Sequence, residues 1–399
     1  VPPISKLGYL VPQFPGQTHI FFWREILKIE EAGVEVCLFS TRPPPPGLIS
    51  HAWSQAAMER TEYLASTSVP SLLATLLRLP LAELLRDGLG RDFWRDVLIS
   101  LPAARRLAQQ CRARGIPHVH AHSCGRAALI AALAHRLYGI SYSISLHGAL
   151  EDYGPGQRFK WRGAKFAAVI TEALLADIRP KLGDALPDRV VIQPMGVDTD
   201  RLRRDAPYEP PRQGETLRLF TCARLHMVKG HQDVLQAVRM MLDQGIDVQL
   251  EIAGEDDAGG GGFHTVLDEK IAELGLSGHV TLLGAVPEEV VRDKLLAAHI
   301  FVLASWHEPL GVAYMEAMSC GVPTIGTDAG GVHELISDGQ DGVLVPPKSP
   351  EALVGAIKAL AEDPETCRRL SAAGRQTVVD RFGAGRGAET LIREASRDL

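Results

Sequence analysis

Long apolar runs are missing from this 399-residue chain. The longest stretch without Lys, Arg, His, Asp or Glu, 63–77, is broken by Ser, Thr and Pro and falls short of the roughly 18 apolar residues that a membrane-spanning helix needs, so none is expected. Residues 1–30 place Lys6, His19, Arg24 and Glu25 where a signal peptide has a basic start followed by an apolar core, and no secretory segment is expected in them. Blocks of like charge are also missing. The 42 Lys and Arg and 48 Asp and Glu leave a net charge of −6 with no basic stripe, which excludes the footprint of a nucleic-acid binder. The six cysteines (Cys37, Cys111, Cys124, Cys222, Cys320, Cys367) contain no C-x-x-C pair, so reduced, mostly buried thiols in a cytoplasmic protein fit better than a disulfide frame or a zinc site. No G-x-x-x-x-G-K-[ST] loop occurs, which removes the P-loop nucleotide binders.

What is present is an ordinary folded composition, 46% apolar and 23% charged, over a length that at roughly 150 residues per domain gives two or three domains. Short β-branched or apolar runs, each followed by a helical pattern, recur throughout, the signature of parallel sheets with helices on both faces. The first half predicts strands at 6–11, 35–40, 118–122, 141–146, 168–171 and 190–193, with a helix at 18–32, a break at Pro43–Pro46 and helical pieces around 72–85 and 97–111. The second half restarts the rhythm with strands at 217–222, 248–253, 280–283, 300–304, 323–326 and 342–345, and helices at 364–379 and 385–396 close the chain. The proline-rich 205–215 is the expected linker. The expected division is therefore 1–204 and 205–382, with the last helix, about 383–399, a candidate to cross back to the first domain. Ligands of open α/β sheets sit beyond the carboxyl ends of the strands, so two such domains facing each other place a cleft between them.

Two segments follow predicted strands and carry chemistry. In Ser305–Gly321 the chain enters a helix near Gly311, and the N–H groups of Gly311 and Val312 at its positive end suit an anion such as a diphosphate. Glu308 precedes that helix, and Glu316, about one and a half turns into it, is placed to accept bonds from vicinal hydroxyls such as a ribose diol. Both carboxylates fit capping or plain solvation equally well. Upstream, Arg224 and Lys229 share the loop 222–230, a guanidinium fork and a point charge suited to phosphate oxygens, although basic loop residues are often only solvated.

Together these residues carry a resemblance. Arg-x-x-x-x-Lys-Gly at Arg224–Gly230, then Glu308-x-x-x-x-x-x-x-Glu316 closed by Glu-Ala-Met-x-x-Gly-x-Pro, then Gly-Gly-Val-x-Glu at Gly330–Glu334, resemble the retaining glycosyltransferases of family four, of the GT-B type. The likeness extends through Gly196-Val197-Asp198, Ala253-Gly254 and Leu283-Gly284, nearly the whole second half. It implies an α/β GT-B fold, two doubly wound Rossmann-like domains facing across an interdomain cleft. It also implies transfer of a sugar from a nucleotide diphosphate sugar, UDP-sugar first and GDP-sugar second, to a sugar, lipid-linked or small-molecule acceptor. Arg224, Lys229 and the Gly311 and Val312 N–H groups would then face the diphosphate, Glu308 the donor sugar and Glu316 the nucleotide ribose, with Gly254 and Leu283 in the nucleotide pocket. No cofactor or metal is expected, since cations and a helix N-terminus already meet the diphosphate.

The first half resembles the branch that builds bacterial exopolysaccharides and other cell-envelope glycans. It has Phe14-Pro15-Gly16-Gln17-Thr18-His19-Ile20 after the first strand and His-x-His-x-His at His118, His120 and His122. Only Gly16 remains of the paired glycines that many relatives bring to the donor, and a tight turn is its other reading. His147, in Ser145-Leu146-His147-Gly148, matches the position of a histidine directed at the donor sugar, with helix entry as the alternative; His122 is placed on the acceptor side. The alternating histidines share one strand face and also fit a metal site. Asp198-Thr199-Asp200 has D-x-D spacing and Glu255-Asp256-Asp257 is a further acidic run, but the resemblance makes the first a turn and the second a loop beside the nucleotide. The leucine-rich 70–111 is read as a packed helical hairpin, with an acceptor wall or a peripheral contact with the inner membrane as alternatives. A sugar phosphorylase, a nucleotide-sugar epimerase and a non-catalytic two-domain sugar-binding protein are the competing functions.

Overall fold

The structure of the protein, a computed structural model, describes residues 4–16, 19–44, 52–65, 75–76, 78–86, 90–256 and 262–397. The chain divides into two compact units: Val1–Ile49, Trp53–Met195 and Gly385–Leu399 form the first, and Ser50–Ala52 and Gly196–Ala384 the second. The division falls at Met195, ahead of the proline-rich 205–215, which is part of the second unit, and the last helix belongs with the first.

The first unit is built on β1 (Lys6–Gln13), β2 (Glu35–Arg42), β3 (Glu62–Tyr63), β4 (His118–His122), β5 (Ser141–Leu146), β6 (Ala167–Val169) and β7 (Val190–Ile192). These form one sheet in the order β3-β2-β1-β4-β5-β6-β7, and every pair is parallel. β4, at the centre, is buried at every residue. One face of the sheet packs on the helices Arg91–Arg114 and Arg126–Tyr138, whose buried alanines and leucines join Leu10, Val119, Ile144 and Leu146 in a single core. The other face carries Leu7, Tyr9 and Val11 against the helix Ile20–Glu31 and the last helix, Ala384–Ser396, through Ala388, Leu391 and Ala395. The helix expected from 18 begins at Ile20, because the His19 N–H closes a turn onto the Gly16 carbonyl at 3.0 Å. Of the helical piece expected around 72–85, Leu72, Leu73 and Leu77 lie outside the described residues, and its described helix is Leu81–Arg86, entered from Pro80.

The second unit holds β8 (Leu217–Cys222), β9 (Val248–Ala253), β10 (Val280–Gly284), β11 (Ile300–Val302), β12 (Thr324–Thr327) and β13 (Val343–Val345), in the order β10-β9-β8-β11-β12-β13. All pairs are again parallel. Its core gathers Leu219, Leu250, Ile252, Val302 and Ile325 with Val234, Val238 and Met241 of the helix His231–Asp243. A helix that the sequence reading passed over, Pro350–Glu362, covers the sheet from a Ser349 cap with Pro350 in its first turn, a standard entry signal. Both units change strand order next to a central strand, β1 to β4 and β8 to β11, which is where an open α/β sheet binds ligands.

Candidate functional site

In the second unit the chemistry gathers at the carboxyl ends of β8 and β11. The loop after β8 turns at Gly230, whose φ is +69° and where a Cβ would stand 1.9 Å from the Ala304 carbonyl oxygen. Only glycine lets the loop approach so closely, and the Trp306 N–H then donates to the Val228 carbonyl at 2.7 Å. This contact brings Lys229 to the loop after β11. Its Nζ donates to Glu308 Oε2 at 2.5 Å, and the Ser305 hydroxyl donates to the same oxygen at 3.2 Å. Glu308 is 8% exposed, so its charge is held by a partner as burial demands. Its carbonyl in turn accepts from the Gly331 N–H at 3.0 Å, which ties the Gly-Gly-Val-x-Glu segment to the same place.

Arg224 is exposed on the β8 loop, and its carbonyl accepts from His231 Nε2 at 3.0 Å. Burial lowers the His231 imidazole to about 4, leaving a neutral ring that pins the loop. Gly254 follows β9 with φ +151°, and a Cβ there would lie 1.8 Å from the Ala223 carbonyl oxygen, so this glycine seats the Arg224 loop against β9. Its N–H donates to the Gly284 carbonyl at 2.9 Å, next to Leu283, which is half-buried at the end of β10. Gly311 caps the helix Val312–Ser319 without a side-chain cap, so the N–H groups of the first turn are offered outward. Glu316 lies on that helix, half-buried and near Cys222 and Cys320, whose thiols burial pushes up to about 12.

The D-x-D pair is a local turn: Asp198 Oδ1 accepts the N–H groups of Asp200 and Arg201, both at 3.1 Å. Of the second acidic run, Asp257 lies outside the described residues, while Glu255 accepts the Asp256 N–H and Asp256 accepts the N–H of His264 in the first turn of the helix Phe263–Glu273. Among the described residues no group of three or more His, Cys, Asp or Glu is arranged to hold a metal ion, and no helix is long and apolar enough to cross a membrane.

In the first unit the alternating histidines are engaged by serines. β4 and β5 pair in the register His118↔Ser141, His120↔Ser143 and His122↔Ser145, and in a parallel pair such partners share a face. The Ser143 hydroxyl lies 2.7 Å from both His118 Nε2 and His120 Nδ1, Ser141 meets His118 Nδ1 at 2.8 Å, and Ser145 meets His120 Nε2 at 2.7 Å. Burial brings His118 down to about 3 and holds His120 well below the usual histidine range, with the His122, His118 and His147 rings adding to the effect on His120. This ladder of neutral rings accounts for two of the three histidines without a metal. The third, His122, expected on the acceptor side, is 2% exposed, and its Nδ1 lies 3.3 Å from Nε2 of His147, which is partly exposed just after β5. Gly16 forms the turn before the first helix, and a Cβ there would meet the His19 ring at 2.5 Å.

The sequence reading missed Ser305, His231 and Glu25, whose Oε2 accepts from the Tyr9 hydroxyl at 2.7 Å and lies 3.3 Å from His122 Nε2. Ser305 had a signal, since it stands between the strand end and Glu308, and His231 directly follows Lys229-Gly230. Glu25 had none, because nothing in the spacing brings a helix carboxylate to β4.

Comparison with known proteins bears on the whole chain. Residues 204–377 match the model described as Glycosyl transferases group 1, and residues 23–196 match the Glycosyl transferase 4-like domain. The chain belongs to the family-four glycosyltransferases of the GT-B type. EpsD of Bacillus subtilis (strain 168) is 31% identical over 208 residues, so the match spans about half of each protein, 50% of this chain and 52% of that one. The 2-deoxystreptamine glucosyltransferase of Streptomyces kanamyceticus is 26% identical over 298 residues, 68% of this glycosyltransferase and 75% of that one. The fold matches that of Anabaena HepE in complex with UDP and glucose, with a TM-score of 0.75 and 18% identity over 98% of this chain and 99% of that chain.

Proposed function

We propose that this glycosyltransferase moves a sugar from a nucleotide diphosphate sugar to an acceptor hydroxyl with retention of configuration, without a metal or other cofactor. The donor is a UDP-sugar first and a GDP-sugar second. The observation that carries the reading is the Lys229–Glu308 contact at 2.5 Å beside the start of the helix Val312–Ser319. As the glycosidic bond breaks, positive charge grows on the sugar ring and negative charge on the leaving diphosphate, and fixed groups of opposite sign at each lower the barrier. Lys229, Arg224 and the N–H groups of Gly311 and Val312 meet the diphosphate. Glu308, already held by Lys229 and Ser305, takes the sugar hydroxyls and faces the cation-like ring, and Glu316 holds the ribose. Gly254 and Leu283 shape the nucleotide pocket, Gly16 lies on the donor side of the first unit, and His147 addresses the donor sugar there.

UDP and glucose bound to HepE, and the glucosyl transfer named for the Streptomyces kanamyceticus relative, support a nucleotide-sugar donor. The likeness to the exopolysaccharide branch supports a sugar, lipid-linked or small-molecule acceptor in bacterial polysaccharide or glycoconjugate synthesis, in the cytoplasm. A peripheral membrane contact is supported by Leu81, Leu85, Leu98 and Ile99, all exposed on neighbouring helices, and co-sedimentation with anionic vesicles checks it. The main test is a thermal-shift panel of UDP, GDP, ADP, their sugars and free monosaccharides with a chelator present. Stabilisation by one nucleotide diphosphate, lost in Lys229→Ala, is the expected result. A shift with free sugar alone, or one that requires a divalent cation, overturns the reading.

A further inference from the structure

A chain of polar contacts in the first unit ends on an atom with no hydrogen-bond partner among the described residues. It starts at Glu25, on the helix Ile20–Glu31, whose Oε2 accepts from the Tyr9 hydroxyl at 2.7 Å. Gly387 of the last helix makes room for that carboxylate: a Cβ there would stand 2.5 Å from Glu25 Oε1. Glu25 Oε2 lies 3.3 Å from His122 Nε2, off the line of a good hydrogen bond but near enough to attract a ring proton. His122 Nδ1 then lies 3.3 Å from His147 Nε2. The two imidazoles stack, with planes 17° apart, while Phe22 meets both rings edge-on and Tyr9 lies against His122, so neither ring is free to turn. His147 Nδ1 is buried and has no hydrogen-bond partner among the described residues.

The protons in such a chain are not independent. A carboxylate accepts only, so it draws the His122 proton to Nε2 and leaves Nδ1 as a lone pair. That lone pair must receive the His147 proton on Nε2, which leaves His147 Nδ1 an acceptor. Had His122 instead carried a proton on each nitrogen, it would donate to His147 and make Nδ1 of that ring a donor. The titratable groups around the pair are Glu25, Tyr9, His19 and His120, and burial, with His122 and His19 beside it, holds the His147 imidazole well below the usual histidine range. A buried ring nitrogen without a partner is costly unless a ligand supplies one.

We propose that Glu25 and His122 are positioning residues that fix His147 with its proton on Nε2, so that His147 Nδ1 accepts a hydrogen bond from a hydroxyl of the sugar substrate. The tautomer is a property of this chain alone, while its use rests on the transfer reading above. No proton leaves the chain in this scheme; the arrangement selects a substrate that donates at that point.

The test uses the full chain labelled with 15N-histidine, with His122→Asn and His147→Asn to assign the ring signals. The expected spectrum has His147 protonated on Nε2 and bare on Nδ1, and Glu25→Ala or Gly387→Ala, which removes or displaces the carboxylate, shifts that ring to mixed tautomers. Thermal melts of each variant establish that it folds. With a nucleotide sugar turned over, Glu25→Gln lowers kcat at least tenfold with a smaller change in donor KM, and Glu25→Asp restores part of the loss. A proton on His147 Nδ1 in the parent, the same tautomer in Glu25→Ala, or unchanged kcat in Glu25→Gln overturns the proposal. If no nucleotide sugar is turned over at all, the transfer reading fails, and the tautomer is still decided by the spectrum.

Discussion

Both units place polar groups at the carboxyl ends of strands beside a change in strand order, in the first unit as the end of a row that runs along β4, and stabilise them in different ways. In the second unit a lysine and a glutamate pair across two loops, Lys229 on Glu308 at 2.5 Å. In the first, His118, His120, His122 and His147 form a chain with three serines, and burial keeps at least three of the rings neutral. The difference shows two ways of meeting the cost of burial. Lys229 and Glu308 are both largely buried, and each offsets the other. His118, His120 and His147 stay neutral instead, and the first two have both ring nitrogens engaged, which costs less than an isolated ion.

Acid should separate the two units most strongly. Each buried imidazole refuses a proton that the unfolded chain takes up below about pH 6.5, so the unfolded state binds more protons. Stability is therefore full above that pH and falls as the pH drops, until the folded rings titrate, near 3 for His118 and near 4 for His231. Each fully shifted ring contributes a slope of up to about 1.4 kcal/mol per pH unit. Calorimetry between pH 7 and pH 4 should show the first unit, with His118, His120 and His147, losing stability faster; equal loss in both units breaks the contrast.

Lys229→Ala comes next. On the proposed function this removes a cation facing the leaving group and should cost about 3–4 kcal/mol of transition-state stabilisation, a fall of roughly 10²–10³ in kcat with a nucleotide sugar. Wild-type single-turnover rates in that variant would take Lys229 out of the chemistry. Gly230→Ala tests the scaffold beneath the pair. A Cβ 1.9 Å from the Ala304 oxygen at φ +69° forces the loop away from β11, at about 2–4 kcal/mol in strain and repacking. A melting temperature several degrees lower, with donor binding weakened at the same time, is the expected outcome. The smallest effect is Ser143→Ala, which leaves His118 Nε2 and His120 Nδ1 without their shared hydroxyl and should cost about 1–3 kcal/mol in urea unfolding. No loss there would mean that water replaces the serine and the ladder is not sealed.

Central strands were legible in the sequence and edges less so. β4, β5, β8 and β9 run over the residues expected of them, because a strand flanked on both sides must be an apolar or fully satisfied run bounded by turns. β3, two residues long at a sheet edge, has no pattern to read, and β11 stops at Val302, short of the expected 304, where Ala304 turns to meet Gly230. Lys229, Arg224 and Glu308 could be found because they lie beside strand ends in their own sequence neighbourhoods. That Lys229 and Glu308 touch could not, since the contact crosses two loops and the motif gives each its own task. The histidines were legible as a shared face but not as a serine-satisfied ladder, which needs the β4–β5 register.

The path of the chain has one further consequence. It leaves the first unit at Met195 and returns to it at Gly385, so that in covalent terms the second unit is an insertion within the first. The last helix is a structural part of a fold begun nearly four hundred residues earlier: the Ile4 N–H donates to the Ser396 hydroxyl at 3.0 Å, and Lys165 reaches the Ala395 carbonyl at 3.1 Å. Leaving aside the three residues Ser50–Ala52, the two units are thus joined by two crossings of the backbone, after Met195 and before Gly385, and a nick in either leaves them linked by the other. A first unit cut from its gene at 195 would lack the helix that covers Tyr9 and makes room for Glu25, and it would have to borrow that helix from another chain.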